Sequence, residues 1–259
     1  MSDRESARAR IERGAIEAFA SRPRDTGVLR TGGRYRPVHD PAPTSRWIVV
    51  IPVKGTASAK SRLGGDADDR ARIATAIALD TIDVVLATPT VAHVVVVTSV
   101  EGAPAVDETD AFVVVEPEPA GLGAALELGL QTAAEFGAPG LGTAVLLGDL
   151  PALRPEDLAD ALERAASFPR AMVADAAGTG TTLVTAADGQ AHDLAFGADS
   201  ASAHRSRGYA ELPVDAHSGV RHDVDTADDL AALAGRLGPR TTVALEGRHD
   251  IPSSRELLS

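Results

Sequence analysis

Asp149, in Leu146-Leu147-Gly148-Asp149-Leu150-Pro151, and Asp223 and Asp225, in Arg221-His222-Asp223-Val224-Asp225-Thr226, have the type and spacing to hold a divalent cation. Hard oxygen donors suit Mg²⁺, which takes one or two carboxylates together with phosphate oxygens and water. In an extended segment Asp223 and Asp225 project to the same side, because strand side chains alternate. Two carboxylates so placed repel unless a cation stands between them. The competing explanations are a turn-forming Asp149 and a helix cap at Asp225 or Thr226, since Thr226 to Asp229 resembles a capping box. Capping explains Thr226 and leaves Asp223 unexplained.

Cations are concentrated elsewhere. Of 25 basic residues only Lys54 and Lys60 are lysines, and both fall in the stretch from Ile51 to Leu63, directly after the apolar run 47–50. A Walker phosphate loop would read G-x-x-x-x-G-K-[ST]; after Gly55 this chain is one residue short and lacks the second glycine, so it is not that loop. Small residues from Gly55 to Ala59 still let the backbone approach a phosphate, while Lys54, Lys60 and Arg62 can supply charge to a triphosphate. A solvated basic loop is the plainer alternative. Gly148 likewise permits close backbone approach of a nucleotide. Gly121-Leu122-Gly123 lacks the third glycine of a dinucleotide fingerprint, which leaves helix-start packing or a place under a base. Gly178 to Thr182 form a hydroxyl-rich turn containing Thr181. Further on, Gly197 precedes Ser200, which opens a helix with His204 four residues later on the same face. A helix start with a hydroxyl receives phosphate or carboxylate, although Ser200 also suits an ordinary cap and His204 a satisfied surface position.

These groups act together only if the fold gathers them. Val-rich runs at 47–53, 92–98, 111–115 and 143–147 lack polar alternation, as parallel strands covered on both faces do. Helical stretches at 67–87, 121–136 and 155–167 lie between them, giving a three-layer αβα domain with a mostly parallel sheet. Runs at 171–175, 181–186 and 210–214 read as an antiparallel elaboration beside that sheet, and a helix at 226–237 and a strand at 241–245 precede a polar tail. In such sheets ligands sit beyond the carboxyl ends of the strands. The expected division is an extension at 1–45, a main α/β domain at 46–245 and a tail at 246–259. Residues 1–20 suit one helix, and 21–45 an irregular linker. The extension is a partly ordered tail, or else a dimer arm or a lid, so a homodimer stays open.

Composition narrows the function. Without cysteine there are no disulfides, thiolate metal sites or cysteine nucleophiles. No apolar run reaches membrane-spanning length and no signal peptide is evident, so the expectation is a soluble, cytoplasmic protein without a membrane partner. Residues 1–46 hold ten arginines against six acidic residues, so with a total of −12 the remainder carries −16. So acidic a body does not suit nucleic acid, which is held by clustered positive charge. Any anionic ligands are small, met by local cations or a metal ion.

Taken in order, Pro52-Val53-Lys54 with Lys60-Ser61-Arg62-Leu63, Gly148-Asp149-Leu150-Pro151, Gly178-Thr179-Gly180-Thr181, Phe196-Gly197 with Ser200 and His204, and Asp223-Val224-Asp225-Thr226 resemble the 2-phospho-L-lactate guanylyltransferases and their phosphoenolpyruvate-using relatives, which serve deazaflavin coenzyme synthesis. The resemblance covers about 47–243. It implies a GT-A-like nucleotidyltransferase fold, GTP and a phosphorylated three-carbon acid as substrates, Mg²⁺ as cofactor and pyrophosphate as product. It further implies Asp149, Asp223 and Asp225 as metal carboxylates. Thr181, Gly197, Ser200 and His204 would bind the acid, and Lys54, Lys60 and Arg62 would face the GTP phosphates. Two positions depart from the family pattern: Gly123 stands where Asn is frequent, and Thr182 where the turn often ends in Asn. The Ala- and Arg-rich composition accords with the actinobacterial members and hence with phosphoenolpyruvate. Alternatives are 2-phospho-L-lactate as acceptor, a sugar-phosphate or molybdopterin nucleotidyltransferase, and, in another class, a non-catalytic GTP sensor.

Overall fold

The structure is a computed structural model that describes residues 29–31, 46–53, 63, 65–116, 118–136 and 140–247. The helix expected at 1–20 and the tail from 248 lie outside the described residues. In chain order the elements are β1 (Leu29–Thr31), β2 (Arg46–Val53), α1 (Ala67–Ala87), β3 (Val91–Ser99), α2 (Ala103–Val106), β4 (Phe112–Glu116), α3 (Leu122–Glu135), β5 (Leu141–Leu146), α4 (Pro155–Ala165), β6 (Arg170–Ala174), β7 (Thr181–Ala186), α5 (Ser200–Ser206), β8 (Ala210–Glu211), a 3₁₀ turn (Gly219–Arg221), α6 (Ala227–Ala232) and α7 (Pro239–Glu246).

The apolar runs become the inner strands of one sheet, in the order β1-β4-β3-β2-β5-β7-β6-β8. β4, β3, β2 and β5 are mutually parallel, whereas β7 is antiparallel to both β5 and β6. Successive residues of each strand enter opposite cores. Val49, Ile51, Val94, Val96, Val113 and Val115 face α1 and α4 through Ile82, Val85, Leu158 and Leu162. Ile48, Val50, Val95, Val97 and Val114 face α3 through Leu126 and Ala133. Burial on both faces is the reason the strands carry no polar alternation. A third cluster joins Ile73 and Ile77 of α1 to Leu63, Val224, Leu230 and Ala244. Among the described residues, no helix is long and apolar enough to cross a membrane.

The elaboration stands beside the parallel block as expected, β7, β6 and β8 following β5, with β7 antiparallel to both of its neighbours. Four expectations are corrected. The stretch read as linker contributes β1, paired antiparallel to β4 with Leu29 opposite Val115; three residues are too few for a periodic signal. The run at 210–214 keeps only Ala210–Glu211 as strand, because Pro213 has no N–H for a ladder. The strand expected at 241–245 is helix α7, and the helix expected at 226–237 ends at Ala232. β-branched Thr241, Thr242 and Val243 favour a strand locally, but the buried Asp80 carboxylate accepts from the Arg240 N–H at 3.0 Å and the Thr241 N–H at 2.8 Å. That tertiary cap, with Pro239 at the first turn, overrides propensity.

Candidate active site

A cleft of about 470 Å³ opens at the carboxyl edge of the sheet, and Pro52, Val53, Gly148, Asp149, Asp175, Thr181, Ser200, Asp223 and Asp225 are among the residues lining it. β2, β5 and β6 all end here, and β7, running the other way, begins here with Thr181. The antiparallel insertion therefore brings the Thr-Gly turn to the same edge as the strand-end carboxylates.

Asp149 follows β5. The Leu150 N–H donates to Thr81 Oγ1 at 3.2 Å, which pins the loop to α1. The Val224 N–H donates to the Asp149 carbonyl at 3.1 Å, bringing the second acidic segment alongside. Val224 is fully buried in the third cluster, so its neighbours Asp223 and Asp225 turn to the cleft side. Burial, followed by repulsion from Asp149, Asp175 and Asp225, pushes the Asp223 carboxyl up to about 7. The capping box is also present: Thr226 Oγ1 accepts from the Asp229 N–H at 3.2 Å, and Asp229 accepts from the Thr226 N–H at 2.7 Å. Among the described residues, no three His, Asp or Glu side chains converge as a ready-made metal cage. The acidic residues instead make a cleft wall whose mutual repulsion a cation would relieve.

Asp175, to which the motif reading gave no role, builds the turn. Its carboxylate accepts from the Thr179 N–H at 3.0 Å and the Gly180 N–H at 2.8 Å. A Cβ at Gly180 would lie 2.4 Å from Asp175 Oδ2, so only glycine admits this arrangement. The available signal was an Asp a few residues ahead of Gly178-Thr179-Gly180, a common way to close a turn. Thr182 points away from the cleft: it is fully buried and donates to the Val220 carbonyl at 2.6 Å, tethering β7 to the turn before Asp223.

Gly197 has φ 131° and Asp199 φ 53°, so the loop entering α5 is held in left-handed backbone. Ser200 is buried and lines the cleft. His204 does not: it is fully buried beneath the loop, so its reading as a substrate contact or a surface residue is corrected. Phe196 and Tyr209 pack edge-on against its ring, at 5.1 Å each, and exclude it from solvent. Gly121, with φ 97°, and Gly123 flank the cleft-lining Leu122. Among the described residues a Cβ at either would meet nothing within 4 Å, so packing against them does not account for Gly123. At Gly148 a Cβ would stand 3.2 Å from the Pro52 carbonyl oxygen, so this glycine serves the close approach of the loop to β2. Lys54, Gly55, Lys60 and Arg62 lie outside the described residues, between Val53 at the cleft and buried Leu63.

Comparison with known proteins decides the family. The chain is 49% identical over 202 residues to a phosphoenolpyruvate guanylyltransferase of Streptomyces coelicolor, covering 76% of this chain and 94% of the relative. It is 44% identical over 239 residues to one of Sanguibacter keddieii, covering 77% and 84%, and 46% identical over 206 residues to one of Streptosporangium roseum, covering 78% and 92%. The chain belongs to the phosphoenolpyruvate guanylyltransferase family. As a member of that family it is a nucleotidyltransferase enzyme. No protein-family model matches the chain. A crystal structure from Desulfovibrio desulfuricans, assigned to the nucleotide-diphospho-sugar transferases, matches with a TM-score of 0.60 at 18% identity, covering 78% of this guanylyltransferase-family chain and 95% of the other; it supports the fold.

Proposed function

We propose that this protein joins GTP to phosphoenolpyruvate, giving enolpyruvyl-diphospho-guanosine and pyrophosphate, in deazaflavin coenzyme synthesis. The observation that carries this reading is that one cleft is lined both by Asp149, Asp223 and Asp225 and by Thr181, Phe196, Gly197 and Ser200. Relatives bearing the phosphoenolpyruvate guanylyltransferase name support the choice of both substrates.

In the reaction an oxygen of the acceptor phosphate attacks the α-phosphorus of GTP, and the bond from that phosphorus to the departing pyrophosphate breaks. The attacking oxygen is already an anion at neutral pH, so no general base is required. Catalysis is alignment and charge neutralisation. Asp149, Asp223 and Asp225 fit Mg²⁺ by donor type and by the raised Asp223 carboxyl, and would hold it. When bound, the ion neutralises phosphate oxygens. Thr181, Gly197 and Ser200 cradle the phosphorylated acid. Lys54, Lys60 and Arg62 face the triphosphate, with Gly55, Gly121, Gly123 and Gly148 along the nucleotide. An ammonium group on a four-carbon stem can follow charge as it moves to pyrophosphate.

Mass spectrometry of the product made from GTP, Mg²⁺ and each of phosphoenolpyruvate, 2-phospho-L-lactate and a sugar phosphate tests this, with CTP and UTP as alternative donors. The expected dominant product is the GTP–phosphoenolpyruvate adduct with stoichiometric pyrophosphate. Preference for 2-phospho-L-lactate, a sugar phosphate or a pyrimidine donor replaces the proposed substrates, and GTP binding without pyrophosphate release under any pairing contradicts catalysis.

A further inference from the structure

Thr181 is almost wholly buried yet lines the cleft, so its hydroxyl reaches a bound acid only if its hydrogen bonds within the protein leave it oriented that way. Its partner settles the orientation. The Ala195 N–H donates to His204 Nε2 at 3.0 Å, so that nitrogen carries no proton, and the neutral ring bears its hydrogen on Nδ1. Nδ1 lies 3.0 Å from Thr181 Oγ1 and is therefore the donor of that bond. A hydroxyl that accepts from an N–H must send its own hydrogen elsewhere.

We propose that His204 is a positioning residue that fixes Thr181 as a hydrogen-bond donor aimed into the cleft, so that the acceptor pocket favours an anionic oxygen of the phosphorylated acid. The inference rests on the acceptor-pocket reading above. Burial, followed by the nearby Arg207, lowers the His204 pKa and keeps the ring neutral, which preserves a single tautomer. The scaffold holding the ring is itself tied down: Arg207 donates to the Leu194 carbonyl, and the Tyr209 hydroxyl accepts from the Asp193 N–H at 2.9 Å. The same ring therefore orients Thr181 and the loop carrying Phe196 and Gly197.

Steady-state kinetics on the full chain separate positioning from simple support. Asparagine can offer an amide N–H near the place of Nδ1, whereas glutamine extends toward that of Nε2. Losing one hydrogen bond to a charged ligand corresponds to roughly tenfold or more in affinity. T181V and H204Q should therefore each raise the KM for phosphoenolpyruvate by about that factor while leaving the KM for GTP within about twofold. H204N should stay within about threefold of the parent, and T181V/H204Q should be no worse than T181V, as expected for coupled residues. Equal losses in H204N and H204Q, or additive losses in the double variant, overturn the His204 assignment while T181V alone still supports the pocket. An unchanged acceptor KM in T181V overturns the pocket reading and this inference with it. Should the His204 variants fail to fold, ¹⁵N imidazole shifts of the parent decide: the Nδ1–H tautomer is expected, and the Nε2–H tautomer refutes the assignment.

Discussion

Burial, and then repulsion from Asp149, Asp175 and Asp225, pushes the folded Asp223 carboxyl from its ordinary value of 3.8 up to about 7. Between those values the folded state holds a proton that the unfolded state has lost. The stability contributed by this group is therefore greatest at acid pH and falls as pH rises through the window from about 4 to about 7. Asp223→Asn should abolish that slope. In EDTA, urea unfolding should find the variant equal to the parent near pH 4 and more stable at pH 8, by on the order of 1–3 kcal/mol. Parallel curves for the two proteins would contradict this. The acidic residues were legible because each follows an apolar run or alternates about Val224, and those patterns survive without knowledge of the fold. His204 was misjudged for a physical reason: four-residue spacing from Ser200 fixes a helix face, but depth is set by Phe196 and Tyr209 packing on the ring. Asp175 was missed because its carboxylate is spent on backbone N–H groups, a role with little pattern in sequence.

At the scale of elements, the inner strands and α1, α3 and α4 were readable because burial on both faces of a sheet and on one face of a helix imposes distinct periodicities. Strand order has no such mark, so the place of β7 between β5 and β6 could not be read from its composition. Nor could α7, whose start depends on a carboxylate far away in the chain. Asp80→Ala should leave the Arg240 and Thr241 N–H groups uncapped and loosen the cluster that buries Val224 between the two cleft carboxylates. The expected cost is on the order of 1–3 kcal/mol in urea unfolding, with some rise in the Mg²⁺ concentration needed for activity. Unchanged stability would mean that α7 forms without this cap.

For the whole molecule, a net charge of −12 poses the central difficulty, since two polyanionic ligands must meet inside an acidic protein. The sheet answers it by gathering its acidic strand ends at one edge, where a cation can offset them, and by bringing the antiparallel β7 to the same edge with a hydroxyl turn. On this account the acidic wall is a cation site awaiting substrates, and its worth lies in turnover. The most direct test is pyrophosphate release from GTP and phosphoenolpyruvate by Asp149→Asn, titrated with Mg²⁺ and paired with a measurement of GTP affinity. The account predicts a fall of about a hundredfold or more in kcat, with folding intact and GTP affinity changed far less. Turnover at the parental rate with the parental Mg²⁺ dependence would contradict it.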